Sequence, residues 1–369
     1  MTVQSQRVAR PAAPYPSDVA VYDLSEGELA EIDTLLNELA DDVPSAEDPR
    51  FVDEASRIAA AHLPLELIRF LNGFRLYEDT AGIVVRGFEI DDEKIGPTPP
   101  HWREQPDPGS TLREELYFVL VCSLLGDIFG WTTLQEGHLV HNVLPIAGDE
   151  NEQSGHGTTL LAWHIEDGFH PYRCDYLALL GLRNNDRVAT TFASVRSLHL
   201  SDGDRRILAE PRFIIRADTE HLRGLEQAKG TDGAGVAAPE MEGLWDEPAP
   251  TAVLFGDLDD PYLRIDPYFM STVPGDKEAE AALATIVGQL DEALADLPID
   301  AGEIGIVDNY RAIHGRRAFK ARYDGHDRWL KKGVVTRDLR KSRAIRSSPG
   351  SRILLQASLD LLRDAERRR

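Results

Sequence analysis

Two segments of the chain carry side chains that could bind a metal ion. The first, LLAWHIEDGFH, places His164 and Glu166 two residues apart within an apolar, strand-like run. Residues i and i+2 of a strand point to the same side, so this imidazole and this carboxylate project together, whereas Ile165 points into packing. The candidate third ligand is His314, at the end of another strand-like run, IVDNYRAIHGRRAF. Two histidines and one carboxylate on one side of a metal leave the opposite positions open, which suits a non-haem Fe(II) that binds a cosubstrate and O₂.

A basic segment after His314 indicates what the cosubstrate would be. Arg328 lies fourteen residues further on, in RYDGHDRWLKK, and a guanidinium there could bind a carboxylate through two parallel hydrogen bonds. A molecule with a keto-acid head for the iron and a distal carboxylate for the arginine is 2-oxoglutarate. Taken alone, a His-x-Glu pair is more often structural than catalytic, and a distant histidine adds little by itself.

Three longer motifs resemble a known family. WHIEDGFHPYRCDYLALLGLRN, DNYRAIHGRRAF and RYDGHDRWLK are similar to segments of the clavaminate synthase-like Fe(II)/2-oxoglutarate oxygenases, above all the arginine β-hydroxylases of viomycin- and streptothricin-type antibiotic biosynthesis. The resemblance covers residues 84 to 339, which is most of the chain. It implies an α+β, mainly β fold: a distorted double-stranded β-helix, the cupin-like jelly roll, with helices packed outside.

The resemblance also assigns roles at the iron and cosubstrate sites. Arg328 matches the arginine that binds the distal carboxylate of 2-oxoglutarate. Thr191, in ATTFASV, is similar to a threonine that assists this arginine, and Thr190 is the alternative. The residues that match the iron ligands are His164, Glu166 and His314.

The predicted substrate pocket departs from the family pattern. Gln135 resembles a glutamine that contacts the amino-acid head of the substrate, and Asp266 matches an acid that contacts a guanidinium. The resemblance also implies that Glu166 contacts the substrate ammonium while it binds iron. Two residues after this aspartate, the arginine hydroxylases have a second acid where this chain has Tyr268. They also have an arginine for the substrate carboxylate where this chain has Lys332. These differences weaken the prediction that arginine is the substrate more than they weaken the prediction that the enzyme is an oxygenase.

The resemblance implies hydroxylation of free L-arginine or a close cationic amino acid at C3, with C4 as the alternative, and release of succinate and CO₂. The cofactor that the resemblance implies is Fe(II), and the implied cosubstrates are 2-oxoglutarate and O₂. Lysine, enduracididine or a carrier-tethered amino acid are alternative substrates, and desaturation is an alternative outcome. A jelly-roll binding protein with a dead iron site is the non-enzyme alternative, which the presence of all three ligands and Arg328 opposes.

Composition narrows the class of protein. The chain has 369 residues with 42% hydrophobic content, enough for a substantial core, and a formal net charge of -23, which argues against nucleic-acid binding. No apolar run in the sequence is long enough to predict a membrane span. The N-terminal segment also lacks the apolar core of a secretory signal, so we expect a cytoplasmic protein. Cys122 and Cys174 stand in apolar runs and are predicted to be core thiols. Oligomeric state is left open.

The elements that must position the site follow from hydrophobic periodicity. We expect a flexible lead over 1–24 and a single domain over 25–369, in which a helical layer (25–130) precedes a jelly-roll core (131–340). Ser25 and Glu28 form a predicted capping box, a break is expected at Pro64, and the run 110–131 is predicted to be one long helix. A Gly- and Ala-rich insertion over about 219–243 is expected to act as a lid or as a plain surface loop, and 341–369 as a basic tail.

Several polar residues near the predicted ligands have simpler interpretations. His170 precedes Pro171 and is expected in a turn, and Asp167 is expected to orient neighbouring groups and not to bind iron. His156 lies in a loop that could cover a substrate, although an ordinary loop histidine is the simpler interpretation. Asp308 and Asn309 are expected to fix the backbone that presents His314.

Overall fold

The computed structural model describes residues 15–105, 107–229 and 248–354. The N-terminal part is a helical layer, as predicted. The capping box of Ser25 and Glu28 begins the first helix, and the predicted break at Pro64 separates the second helix from the third. The helices of this layer are α1 (Glu26–Asp42), α2 (Pro49–His62), α3 (Leu65–Tyr77), α4 (Asp92–Ile95) and α5 (Leu112–Ser123).

The prediction of one helix over 110–131 is wrong beyond Ser123. The chain turns at Leu124–Gly126 and continues as strand β3 (Asp127–Trp131). The sequence does not show where the helical period gives way to the strand period. Most residues of α5 and β3 are buried, so apolar residues occur on more than one side of each element. Glycine fits the turn, since a Cβ at Gly126 would overlap the carbonyl oxygen of Thr336.

A large sheet lies under the helical layer. Helix α5 contacts α1 and α2 on one side and the sheet on the other, and the apolar side chains between them form the main core. Across the sheet lie, in order, β1 (Val19–Asp23), β2 (Gly82–Arg86), β13 (Ile304–Asp308), β6 (Tyr176–Arg183), β15 (Trp329–Thr336), β3 and β16 (Ile353–Leu354), with β4 (His141–Val143) also paired to β15.

A second sheet of four strands carries both predicted histidine ligands. Its order is β12 (Ala295–Pro298), β7 (Ala189–Ser194), β14 (Ala312–Arg316) and β5 (Leu161–His164), all antiparallel. Helix α8 (Lys277–Ala293) packs behind it, and the apolar cluster between them contains Ile165, Ile286 and Ile313. The remaining elements are α6 (Asp202–Leu208), α7 (Thr219–Lys229), β8 (Phe213–Ile215), β9 (Leu254–Phe255), β10 (Tyr262–Leu263) and β11 (Met270–Thr272).

Two predicted boundaries change. The lead is not irregular up to residue 24, because β1 pairs in parallel with β2. The predicted lid begins with helix α7, while residues 230–243 of it lie outside the described part. The first part of the tail ends in β16, which pairs with β3, and residues 355–369 also lie outside. Both cysteines are buried and unpaired, as predicted. Among the described helices, none combines the length and the apolar character that a bilayer crossing requires.

Candidate active site

The structure brings the three predicted metal ligands together. Nε2 of His314 lies 3.3 Å from Oε2 of Glu166, and Nε2 of His164 lies 3.9 Å from the same oxygen. One candidate ligand atom from each side chain lies within 4.8 Å of those of the other two. The cluster therefore has the spacing that a single bound ion needs.

Strand register and one buried asparagine hold this cluster. His164 and His314 are directly opposite each other in the pairing of β5 with β14, so both rings stand on one face. Ile165 is fully buried behind that face, as predicted. Asn309 accepts a hydrogen bond from the backbone N–H of Glu166 at 2.7 Å and donates one to its carbonyl at 2.9 Å, so it ties the turn before β14 to the backbone of Glu166.

The protonation states suit metal binding. Nδ1 of His164 is 2.8 Å from the carbonyl oxygen of Ala162, to which it can donate, and this leaves Nε2 free as a ligand atom. Burial and the neighbouring His164 lower the pKa of His314 to about 4, so its ring is neutral. Burial alone would raise the pKa of Glu166, but Lys332 and His314 lower it well below its usual range. Two imidazoles and an ionised carboxylate facing one point are a donor set that fits Fe(II).

A cleft between the two sheets opens at this cluster, and one end of it is cationic. Arg328 and Arg316 both line it. Burial and Arg316 lower the pKa of Arg328 to about 9. Among the described residues, the guanidinium of Arg328 makes a single hydrogen bond, a long one of 3.5 Å to Oγ1 of Thr190, and its Nε has no partner.

Arg316 differs from Arg328 in that both of its terminal nitrogens donate to backbone carbonyls, while its Nε, like that of Arg328, has no partner among the described residues. Its Nη1 donates to the carbonyls of Ser154 and Gly155 at 3.2 and 3.3 Å, and its Nη2 donates to that of Thr159 at 2.7 Å. The terminal nitrogens of Arg328, unlike those of Arg316, are therefore available to an anionic ligand.

The structure places Thr190, the alternative, and not Thr191 beside Arg328. Thr190 lines the cleft with Arg328, whereas Thr191 borders a different depression beside Trp163 and α8. Adjacent residues of a strand point to opposite faces, so only one of the two can reach the arginine.

Acidic side chains line the cleft as well. Asp266 is nine-tenths buried, and burial raises its pKa; its Oδ1 accepts hydrogen bonds from the backbone N–H groups of Tyr268 and Phe269, each 3.2 Å. Tyr268 also lines the cleft and is 60% exposed. Asp218 and Glu220, which precede and begin α7, line it too, although sequence reasoning did not single them out. The only signal for them was an acid at a helix start, ADTEH.

Two predicted substrate contacts, Gln135 and Lys332, are hydrogen-bonded to other protein groups. The side-chain amide of Gln135 is bonded to the backbone of Asn142 in both directions, at 2.8 and 3.0 Å, and it lines a separate surface cleft. The ammonium group of Lys332 donates to Oε1 of Glu166. Burial would lower the pKa of Lys332, but Glu166 and Asp167 raise it, so the lysine is a cation that faces the metal cluster.

Asp167, His170 and His156 each have hydrogen-bond partners within the protein, which agrees with the simpler interpretation given for each from the sequence. Asp167 accepts a hydrogen bond from Nε1 of Trp131 at 2.6 Å, and His170 lies in a turn where its Nδ1 accepts from the N–H of Tyr172 at 3.0 Å. His156 is buried, with Nδ1 3.0 Å from the carbonyl of Leu144. None of these three belongs to the histidine and glutamate cluster that could hold iron.

Comparison with known proteins gives one consistent result. No protein-family model matches the chain. The chain is 41% identical over 339 residues to an enduracididine beta-hydroxylase of Streptomyces hygroscopicus, and this alignment covers 90% of this chain and 98% of the relative. It is 39% identical to an L-ornithine/L-arginine 3-hydroxylase of Catenulispora acidiphila (87% and 95% covered). Clavaminate synthase 2 of Streptomyces clavuligerus is 30% identical (84% and 90% covered).

Solved structures agree with these relatives. The non-heme iron oxygenase OrfP, crystallised with Fe, succinate and (3S)-hydroxy-L-Arg, superposes with a TM-score of 0.84 at 41% identity, covering 90% of this chain and 99% of that one. OrfP has also been crystallised with Fe and alpha-ketoglutaric acid, which is 2-oxoglutarate. Similarity of this extent confirms the resemblance that the motifs indicated. The chain belongs to the clavaminate synthase-like family of Fe(II)/2-oxoglutarate-dependent amino-acid oxygenases.

Proposed function

We propose that this enzyme hydroxylates C3 of a free cationic amino acid, with arginine as the first choice, and that the cleft between the two sheets is its active site. The observation that carries the proposal is the pairing of a two-histidine, one-carboxylate cluster with the buried, nearly unbonded Arg328 in one cleft. We also infer that the two sheets are the walls of a distorted double-stranded β-helix, because strands of the mainly antiparallel large sheet and of the antiparallel four-stranded sheet line the same cleft.

The metal ligands in this proposal are His164, Glu166 and His314. When bound there, Fe(II) would supply the oxidative chemistry in which O₂ gives one oxygen atom to succinate, as 2-oxoglutarate loses CO₂, and the other to the substrate. The protein's own contribution is position. Register between β5 and β14 sets the two imidazoles, and Asn309 sets the backbone of Glu166.

Arg328 is the proposed partner of the distal carboxylate of 2-oxoglutarate. A buried guanidinium without a carboxylate partner is costly until an anion binds, and a bidentate pair with a carboxylate would satisfy it. Thr190 would share in this contact through its hydroxyl group, which already lies 3.5 Å from Arg328.

The acids of the cleft support a cationic substrate. Asp266, Asp218 and Glu220 offer carboxylates to a guanidinium or ammonium group. Lys332 is the proposed partner of the substrate carboxylate, a contact for which it must leave Glu166 once a metal ion neutralises that group. Tyr268, at the exposed edge of the cleft, offers a ring face to the substrate cation. The two relatives that share about 40% of their residues with this chain are named for enduracididine and for ornithine and arginine, which supports the same substrate class.

Other substrates remain alternatives within this proposal. Enduracididine carries its guanidine in a ring and would suit a cleft that has Tyr268 in place of a second acid. Lysine would pair with the same carboxylates, and a carrier-tethered amino acid would lack the free carboxylate that Lys332 is proposed to bind. Desaturation would need the same iron and cosubstrate contacts and differs only in the fate of the substrate radical.

The test is an anaerobic mixture of protein, Fe(II) and 2-oxoglutarate, to which one amino acid and then O₂ are added. We expect succinate to form in step with loss of arginine or enduracididine, and the product to gain one oxygen atom at C3. Loss of two hydrogen atoms would identify desaturation. Succinate formation that no cationic amino acid stimulates would contradict the proposal, and a protein that binds neither iron nor 2-oxoglutarate would indicate a binding protein.

A further inference from the structure

Helix α7 reaches the active-site cleft with two acids and is anchored behind them by a buried histidine. Asp218 and Glu220 line the cleft. His221, the next residue, has no exposed surface. An exposed helix start would normally carry a polar residue at the surface, so a fully buried histidine here calls for a specific set of partners.

Those partners are all present. Nε2 of His221 lies 2.9 Å from Oδ1 of Asp167, and its Nδ1 lies 2.6 Å from Oγ1 of Thr133. Its backbone N–H donates to Oδ1 of Asp218 at 2.8 Å, so one residue joins the helix start to two other parts of the chain. Asp167 is held in turn by Nε1 of Trp131 and directly follows the proposed ligand Glu166.

The backbone of α7 is fitted to the same place. A Cβ at Gly224, one turn after His221, would overlap the carbonyl oxygen of Thr133. Only glycine permits this approach, so α7 lies directly on the segment that follows β3. A salt bridge of 2.9 Å between Arg223 and Glu152 holds the outer side of the helix.

Asp167, Asp218 and His221 also have candidate ligand atoms within 4.8 Å of one another, which is close enough for a second metal. The donors already present oppose that interpretation. The indole N–H of Trp131 is directed at one oxygen of Asp167, and the imidazole of His221 occupies the other. The group is therefore a hydrogen-bonded anchor.

We propose that His221 is a positioning residue for substrate selectivity. By tying α7 to Asp167 and Thr133, it holds Asp218 and Glu220 at the wall of the cleft, where they favour a cationic over a neutral side chain. This inference rests on the proposed function, and it adds that selectivity for charge depends on the docking of α7 and not on the iron and cosubstrate contacts.

The experiment compares arginine with citrulline, which has nearly the same shape but no charge, as substrates or as competitive inhibitors. His221→Phe keeps a ring among Trp131 and Phe169, whose ring centroids lie 5.4 and 5.1 Å away, and removes both imidazole hydrogen bonds. Gly224→Ala displaces α7 without touching His221. His221→Gln can restore one hydrogen bond to Asp167, and Leu222→Ala, at a 39% exposed position of the same helix, is the matched control.

We expect the arginine preference, as the ratio of kcat/KM values, to fall about 10- to 100-fold in His221→Phe and Gly224→Ala, the range for losing a hydrogen bond to a charged group. The loss should appear in KM for arginine, with citrulline and the affinity for 2-oxoglutarate nearly unchanged. His221→Gln should recover part of the preference, and Leu222→Ala should keep it.

An equal loss for arginine and citrulline, or an unchanged preference in both His221→Phe and Gly224→Ala, would overturn the inference while leaving the proposed function intact. A wild type that is active on both but does not prefer arginine would also overturn it. If His221→Phe does not fold, the preference of Gly224→Ala and the partial recovery in His221→Gln decide the question. A wild type that turns over no cationic amino acid would overturn the proposed function and this inference together.

Discussion

Replacing Arg328 by methionine should make the ligand-free protein more stable and nearly unable to bind 2-oxoglutarate. Burial and Arg316 hold the pKa of Arg328 at about 9, well below its ordinary value. A depression of this size corresponds to roughly 5 kcal/mol of destabilisation of the buried cation. A methionine of similar length removes that cost but loses the contact with Thr190 and some packing. We therefore expect a net gain of about 2 kcal/mol in the free energy of unfolding.

The same substitution removes the proposed partner of the cosubstrate. Hydrogen bonds to a charged group contribute about 1.5–3 kcal/mol each, so loss of a bidentate contact should weaken 2-oxoglutarate binding on the order of 100-fold or more. Urea denaturation of the metal-free protein at pH 7 measures the stability. Calorimetric titration with 2-oxoglutarate under argon, in the presence of Fe(II), measures the affinity.

Arg316→Met is the matched control, because Arg316 lines the same cleft but donates to three backbone carbonyls. Burial also lowers the pKa of Arg316, to about 10, but its loss leaves those acceptors without their donor, so we expect Arg316→Met to be less stable than Arg328→Met. An Arg328→Met variant that is no more stable than Arg316→Met, or that binds 2-oxoglutarate with wild-type affinity, would refute the reasoning.

Two further predictions concern a threonine pair and a buried acid. Thr190→Val should weaken 2-oxoglutarate binding about 3- to 10-fold, whereas the isosteric Thr191→Val should leave it unchanged; the same calorimetric titration distinguishes them, and the reverse order would contradict the placement of Thr190. Burial raises the pKa of Asp308 to about 7. Since its folded-state pKa exceeds the unfolded one, Asp308 lowers stability progressively as the pH rises from about 4 to 7. Asp308→Asn should therefore be more stable than the wild type at pH 8, with an advantage up to about 3 kcal/mol larger than at pH 5; an advantage that does not depend on pH in urea denaturation would contradict this.

Local patterns in the sequence were enough for the parts of the fold and site that depend on neighbouring residues. Ser25 and Glu28 cap α1 as their spacing predicts, and Pro64 separates two helices. The two-residue spacing of His164 and Glu166 predicts a shared face. His314 could be chosen because the motif around it matches a known family, since nothing in its spacing to His164 shows that β14 pairs with β5.

Features that depend on distant partners could not be predicted. Strand β1 is only five residues long and exists because β2 accepts it as a neighbour. The choice between Thr190 and Thr191 requires knowing which face of β7 meets the cleft, and a single strand sequence that is buried on both faces does not show this. Asp218 and Glu220 precede and begin a helix whose position is set by His221 and Gly224, which contact Thr133 almost 90 residues earlier.

The most direct test of the account is Fe(II) binding under argon by equilibrium dialysis, with the wild type compared with His314→Ala and His170→Asn. The proposed ligand set predicts one Fe(II) per chain in the wild type and in His170→Asn, whose histidine is buried nearby but bonded in a turn. His314→Ala should lose affinity by more than the 10- to 100-fold that outer-shell changes cost at metal sites. Wild-type iron affinity in His314→Ala would contradict the claim that residues 164, 166 and 314 bind the metal.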